Sequence, residues 1–176
     1  MVRVHERSYC FLKENIDVFI MKIRPLEMSD KEQMLKLMKE FWIDYNRGRV
    51  ISDGLKKFEE LKNPLDTMKT EFEEYLNWIG FVAEENDEIL GFIIGRIKDK
   101  DHKVIDKEGY VEEFFVTEQM RSKGIGRKLF DRMVEEFKSK GCKSIGTDAY
   151  ATNTKALNYY KKLGFNERIV QLIRDI

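Results

Sequence analysis

The stretch Val111–Leu129, VEEFFVTEQMRSKGIGRKL, runs from an apolar segment into a basic one through two glycines one residue apart. Its first part, Tyr110 to Val116, is short and rich in aromatic and β-branched residues, which predicts a strand. After the glycines the period changes, and Ile125, Leu129, Met133, Val134 and Phe137 share one helical face. RSKGIGRKL, the nine residues Arg121–Leu129, holds four cations. A helix that starts right after glycines offers free backbone N–H groups and the positive end of its macrodipole. Glycine lets a ligand approach that backbone closely. The unit therefore reads as strand, anion-binding turn, helix.

Two familiar phosphate motifs do not fit. A P-loop has four residues between its first glycine and Gly-Lys-Ser/Thr, and none is present. The dinucleotide fingerprint needs a third glycine where Leu129 stands. Arg/Gln-x-x-Gly-x-Gly/Ala between a strand and a helix is matched in full by Arg121, Ser122, Lys123, Gly124, Ile125 and Gly126.

Working outward, residues 22–26 read as a short strand stopped by Pro25. Ser29 to Glu32 forms a capping box before a helix that ends at Asn46-Arg47-Gly48. A shorter helix follows Ser52-Asp53, with Leu55, Phe58 and Leu61 apolar, and another spans Leu65 to Ile79. FVAEE and EILGFIIGRI are strands joined by a turn at Asn86-Asp87. A charged loop, 99–108, leads to the strand ending at Val116. After the basic helix come a strand over 143–149, a helix capped by Thr152 or Asn153 and stopped by Gly164, and a last strand over 168–173. The order predicts an α/β (α+β) protein with a mixed, mostly antiparallel sheet and helices packed on it. Residues 1–20 stand apart as an N-terminal extension, and 21–176 form a single domain.

The 176 residues carry 32 Lys and Arg against 32 Asp and Glu, and a net charge of zero argues against a dedicated nucleic-acid binder. No apolar run is long enough to span a bilayer, and the N-terminus has no signal-peptide core, so a cytoplasmic location is expected. Cys10 and Cys142 have no metal-ligand spacing, and His5 and His102 are isolated; no metal is expected. Charge is unevenly distributed. Residues 53–88 hold eleven carboxylates and four cations, a balance of −7, and residues 118–143 hold eight cations and four carboxylates, a balance of +4. One segment suits a cation and the other an anion.

VEEFFVTEQMRSKGIGRKL resembles the acetyl-CoA-binding core of the GNAT superfamily of N-acetyltransferases, and NTKALNYYKKLGF, Asn153–Phe165, resembles the same superfamily's second signature. The likeness implies a GNAT fold, with a sheet splayed between its fourth and fifth strands and helices on both faces. It implies acetyl-CoA as co-substrate, with its pyrophosphate at Arg121, Ser122, Lys123, Gly124, Ile125, Gly126 and Arg127. The pantetheine arm is expected along Phe114, Phe115 and Val116, contacted by Asn153, with Tyr160 near the thiol as general acid.

Acetyl transfer to an amine needs a base for the ammonium and a proton for the leaving thiolate. Glu112 and Glu113 interrupt an apolar strand, and strict alternation puts them on opposite faces. The strand is similar to that of polyamine and diamine acetyltransferases, which implies Glu112 as the base, with Glu113 as the alternative. Tyr159 is expected to pack away from the site, and Cys142 to be an inert buried thiol. The segment SIGTDAYATNTKALNYYKKLGF, with Asp148 ahead of Asn153, is also similar to aminoglycoside 6′-N-acetyltransferases. With the acidic stretch 53–88 flanking the acceptor side, the reading is transfer to a small polycationic amine. Protein N-terminal or lysine acetylation, and a non-catalytic acetyl-CoA-binding module, are the alternatives. No nucleic-acid or membrane partner is implied, and a homodimer is left open.

Overall fold

A computed structural model of the chain describes residues 21–46, 60–99, 106–170 and 172. The N-terminal extension, the helix expected after Asp53, Cys10, His5 and His102 lie outside the described residues. Five strands form one sheet in sequence order: β1 (Lys22–Pro25), β2 (Ile79–Glu85), β3 (Glu88–Asp99), β4 (Lys107–Val116) and β5 (Ser144–Thr147). The pairs from β1 to β4 are antiparallel, and β4 pairs with β5 in parallel. β2 and β3 meet at Asn86 and Asp87, both at positive φ (55° and 61°), as a two-residue hairpin of primed type requires.

The β4–β5 pairing runs only from Glu108↔Ser144 to Val111↔Thr147, whereas β4 continues to Val116. The two strands part at this point, as the resemblance implied. Helices cover both faces. α1 (Lys31–Asn46) and α2 (Pro64–Leu76) bury Met34, Met38, Met68 and Phe72 against Phe92, Ile94 and Phe115. On the other face α3 (Ile125–Ser139) buries Leu129, Met133 and Phe137 against Ile93 and Val111, and α4 (Thr154–Lys162) follows β5.

Several boundaries differ from expectation. A 3-10 turn, Met28–Asp30, precedes α1, and Asp30 accepts from the Glu27 amide at 2.9 Å, so the reciprocal cap sits two residues earlier than Ser29–Glu32. Asp30 is drawn inward because Arg24 donates to both of its oxygens at 2.7 and 2.8 Å. α2 stops at Leu76, where the Asn77 amide turns back to the Glu74 carbonyl at 3.0 Å, and Ile79 opens β2 instead of closing the helix. Part of the expected charged loop, Lys107 and Glu108, belongs to β4. The expected last strand does not form over residues 168–170 or at 172. Ile169, Val170 and Leu172 are exposed there, and no strand among the described residues pairs with them.

Candidate active site at the splay between β4 and β5

β4 carries a bulge at the splay. Ile94 pairs with Glu113 and Gly95 with Val111, which leaves Glu112 without a partner on β3. Two β4 residues there oppose one, and strict alternation of side chains fails. Glu112 and Glu113 consequently both look toward the α1/α2 face, which corrects their assignment to opposite faces. Their surroundings differ. Glu112 accepts from Arg96 Nε at 2.5 Å and lies 3.4 Å from Lys98 Nζ. Arg96 in turn covers the Trp78 ring, at 5.2 Å from its centroid, and Lys98 sits over Tyr110. Glu112 is a paired carboxylate near solvent.

Glu113 is buried. It accepts from the Tyr75 hydroxyl of α2, and its Oε2 has no hydrogen-bond partner among the described residues. Desolvation, reinforced by the charges of Glu71 and Glu112, pushes its carboxyl up to about 8. Glu71 lies one helical turn before Tyr75 on α2 and accepts from Trp42 Nε1 of α1 at 3.5 Å. Burial raises the Glu71 carboxyl as well, partly offset by the indole N–H. Glu113 and Glu71, with the Tyr75 and Trp42 side chains, thus lie on the α1/α2 side of the sheet. Among the described residues of the acidic stretch, Glu71 acts on this carboxyl through its charge, whereas Glu84 is tied to Lys22 and Arg24 on β1.

Tyr160 approaches from α4. Its hydroxyl bonds the Thr147 side chain at the end of β5, and its ring packs edge-on against Phe165 at 5.4 Å. Desolvation raises it above the ordinary tyrosine value against the pull of Thr147, and the Glu113 charge raises it further, so the phenol holds its proton. Asn153 caps α4, its Oδ1 accepting from the Ala156 amide at 3.1 Å.

The turn before α3 has the shape an anion needs. Gly124 takes φ +83° and no side chain caps the helix. The first bond within the helix is from Lys128 N to Gly124 O, so the amides of Ile125, Gly126 and Arg127 have no carbonyl one turn back. The Ile125 side chain is core, Arg127 pairs with Asp131 at 2.8 Å, and Lys123 and Ser122 are exposed. Arg121 is committed elsewhere. Its Nε donates to Val116 O at 2.9 Å, its Nη2 to Asp44 of α1 at 2.8 Å, and its guanidinium lies over Phe115.

Thr117 N bonds Leu90 O of β3, so by strand alternation Phe115 also turns its backbone to β3, and Phe114 and Val116 turn theirs to the splay. The Phe115 side chain is buried in the α1/α2 core, away from the gap. Tyr159 does not pack away from the site. It stacks on Phe114 at 5.9 Å, and its hydroxyl lies against Gly126 with no partner among the described residues. Nothing in the one-dimensional pattern separates Tyr159 from a core aromatic, and Glu71 and Tyr75 are ordinary members of an acidic amphipathic helix. The bulge turns Glu113 to the face on which Tyr75 packs. Cys142 packs on the α3 cluster with its thiol raised by desolvation, the behaviour of an inert thiol.

The model of the acetyltransferase (GNAT) family matches residues 34–165. An N-alpha-acetyltransferase of Sulfurisphaera tokodaii is 34% identical over 93 residues, 49% of this chain and 56% of that protein. The chain thus spans little more than half the length of that relative. N-alpha-acetyltransferase 30 of Dictyostelium discoideum is 30% identical over 137 residues, covering 76% and 71% of the two chains. Among solved structures, an aminoglycoside N-acetyltransferase, AAC(6′)-Iy, in complex with CoA superposes with a TM-score of 0.70 over 89% of this chain and 95% of its own, at 21% identity.

Proposed function

Since the chain belongs to the acetyltransferase (GNAT) family, we propose that it transfers the acetyl group of acetyl-CoA to the primary amine of a small cationic acceptor, with Glu113 as the base. One observation carries the reading: Glu113, on β4 beyond the point where β5 parts from it, has a solvent-shielded oxygen with no partner among the described residues, and its carboxyl feels the Tyr75 hydroxyl and the charge of Glu71. A charged group in such a place has to be matched by an opposite charge or by a proton. An ammonium ion supplies both, since it pairs with the carboxylate and can give it a proton.

The residues support a division of labour. The amides of Ile125, Gly126 and Arg127 are placed to hold the pyrophosphate of the co-substrate, with Ser122, Lys123, Gly124 and Arg127 around it. The backbone of Phe114 and Val116, with Asn153, lies along the path of the pantetheine arm. Arg121 braces this turn against Asp44 instead of meeting the anion directly. Acetyl-CoA supplies an activated acyl group. Glu113 accepts the proton of the acceptor ammonium, and Tyr160 supplies one to the leaving thiolate. Glu112, the base implied by the resemblance, is held by Arg96 and Lys98 and has less reason to serve.

A second reading, acetylation of a polypeptide N-terminus, is favoured by the N-alpha-acetyltransferases among the relatives. A thiol-release assay with acetyl-CoA and a panel of a simple monoamine, a diamine, a triamine, an aminoglycoside and peptides with free N-termini separates the two. The acceptor reading expects the polyamines or the aminoglycoside to lead. A peptide leading would install the second reading, and no turnover with any amine would leave a non-catalytic acetyl-CoA-binding module.

A further inference from the structure

Residues 122–124 form the exposed part of the turn before α3, and two of the three are left-handed: Ser122 at φ 63° and Gly124 at φ +83°. Glycine takes that conformation freely, whereas serine takes it at an energetic cost that its surroundings must offset. The turn therefore has to be held from its ends. At one end Ile125 is buried in the core of the α3 face. At the other stands Arg121, whose side chain makes three contacts away from the turn. Its Nε donates to Val116 O at 2.9 Å, its Nη2 donates to Asp44 Oδ2 at 2.8 Å, and the guanidinium carbon lies 5.5 Å from the centroid of the Phe115 ring. A planar guanidinium engaged on two edges and one face is fixed in orientation.

Asp44 is a firm anchor because α1 is itself fixed. Near the start of the helix, Gln33 clasps the β2–β3 hairpin: its Nε2 donates to Asp87 O and its Oε1 accepts from the Ile89 amide, both at 2.9 Å. One turn before Asp44, Phe41 packs edge-on against Phe92 and Phe115 at 6.2 and 5.9 Å. Asp44 thus presents a carboxylate at a set place beside the end of β4, from a helix that lies outside both signature stretches, 111–129 and 153–165.

From this geometry we infer that Asp44 is a positioning residue for acetyl-CoA. It touches no part of the ligand and acts through Arg121, whose backbone opens the turn; this role presupposes the reading of the turn as the cofactor's pyrophosphate site. With Asp44 in place, the guanidinium points back to β4 and α1, and Ser122, Lys123 and the amides of Ile125, Gly126 and Arg127 are left to meet the anion. Without it, Nη2 loses this partner and the turn is held less firmly at its Arg121 end. Charge alone predicts the opposite effect. A carboxylate this close to Arg121 opposes an incoming anion, and its removal should tighten binding. A brace reverses the sign, because removing it loosens the turn.

The test is calorimetric affinity for acetyl-CoA in the full-length protein, with thermal unfolding measured alongside. Asp44→Ala should weaken binding roughly three- to tenfold, the size of a modest coupling between contacting residues. Asp44→Asn keeps an acceptor oxygen for Nη2 and should recover most of that loss. Arg121→Ala should weaken binding at least as much, and adding Asp44→Ala to it should cost nothing further, because Asp44 acts only through Arg121. Both side chains are 37% exposed, so the pair adds little to stability and Tm should stay nearly constant across the Asp44 variants. Unchanged or tighter binding in Asp44→Ala, or losses that add in the double variant, overturns the brace. A fall in Tm that tracks the loss of affinity would make Asp44 a purely structural residue and overturns it too. Wild-type protein that does not bind acetyl-CoA removes the cofactor reading itself, and the brace with it.

Discussion

The hydroxyl of Tyr159 stands 2.8 Å from the point that a β-carbon on Gly126 would occupy, and the ring carbon bearing that hydroxyl stands at 3.5 Å. The second glycine of the motif is thus excluded from bearing a side chain by the protein itself, before any ligand arrives. The first glycine is different: a β-carbon on Gly124 would meet nothing within 4 Å, and its requirement is its φ of +83°. The two glycines serve one turn for different reasons.

Gly126→Ala should therefore distort the turn, at a cost of about 2 kcal/mol in stability, as overpacking usually does, and weaken acetyl-CoA binding. Tyr159→Phe in the same chain leaves a 3.5 Å contact, which is ordinary van der Waals distance, and should restore most of both losses. Thermal unfolding and calorimetry with acetyl-CoA measure the two. A double variant no better than Gly126→Ala would mean that the ligand, and not Tyr159, is what the β-carbon meets.

Much of this was legible in the sequence. The hairpin at Asn86-Asp87, the turn at Gly124 and the strand-to-helix switch each depend on local chemistry, which short stretches of sequence encode. The facing of Glu112 and Glu113 was not, because it depends on a bulge fixed by pairing with β3, some eighteen residues away in sequence (Ile94↔Glu113, Gly95↔Val111). The last strand differs as well: ERIVQLIRDI has the composition of a strand, yet residues 168–170 and 172 do not pair with the sheet although β5 ends it, since composition alone does not fix pairing.

Glu113→Gln should lower kcat/KM roughly 10²–10⁴-fold, the usual contribution of a general base, while Glu112→Gln should cost far less. The wild-type acid limb of kcat/KM should lie near 8, where burial has moved the Glu113 carboxyl. Stability gives an independent reading. A carboxyl whose folded value is raised binds its proton more tightly in the native state, so its contribution is complete below the ordinary value of 4.5 and is lost as pH rises through about 8. Glu113→Gln should therefore gain in Tm relative to wild type as pH goes from 5 to 9. A constant difference across that range would mean that Glu113 is solvated.

Arg24 links two buried carboxylates, Asp30 and Glu84, which are 5% and 8% exposed in their side chains. Arg24→Ala leaves both without that partner and should cost about 3 kcal/mol, the lower end for breaking a buried pair. Burial would raise the Asp30 carboxyl, but bonds from Arg24 and the Glu27 amide hold it below its ordinary value; Glu84 is lowered by Lys22, against burial, and by Arg24. A lowered carboxyl contributes stability that is complete above the ordinary values of 3.8 and 4.5 and is lost as pH falls through the lowered ones. The gap in Tm between wild type and variant should close below about pH 4. A gap that persists there would assign the loss to the packing of the Arg24 stem.

The acceptor's charge should govern the rate in a way that salt can dissect. Glu71, whose charge acts on Glu113, and Glu74, whose charge acts on Glu71, both stand on α2, and the one cation of α2, Lys69, lies 3.3 Å from Asp66. A cleft lined by one sign of charge concentrates counter-ions and raises their rate of encounter. A triamine should therefore exceed a diamine, and a diamine a monoamine of similar length, in kcat/KM at low ionic strength. Contact and field separate as salt rises. At physiological strength screening acts over about 8 Å, so the advantage conferred by a distant second ammonium should shrink. The term from the reacting ammonium against the buried Glu113 should persist, since buried pairs are screened much less. Glu74→Gln should remove part of the triamine's low-salt advantage and change monoamine turnover far less. Equal kcat/KM for the three amines at low salt, or a ranking that ignores salt, would make the acidic face of α2 a solvated surface and return the choice of acceptor to a peptide N-terminus.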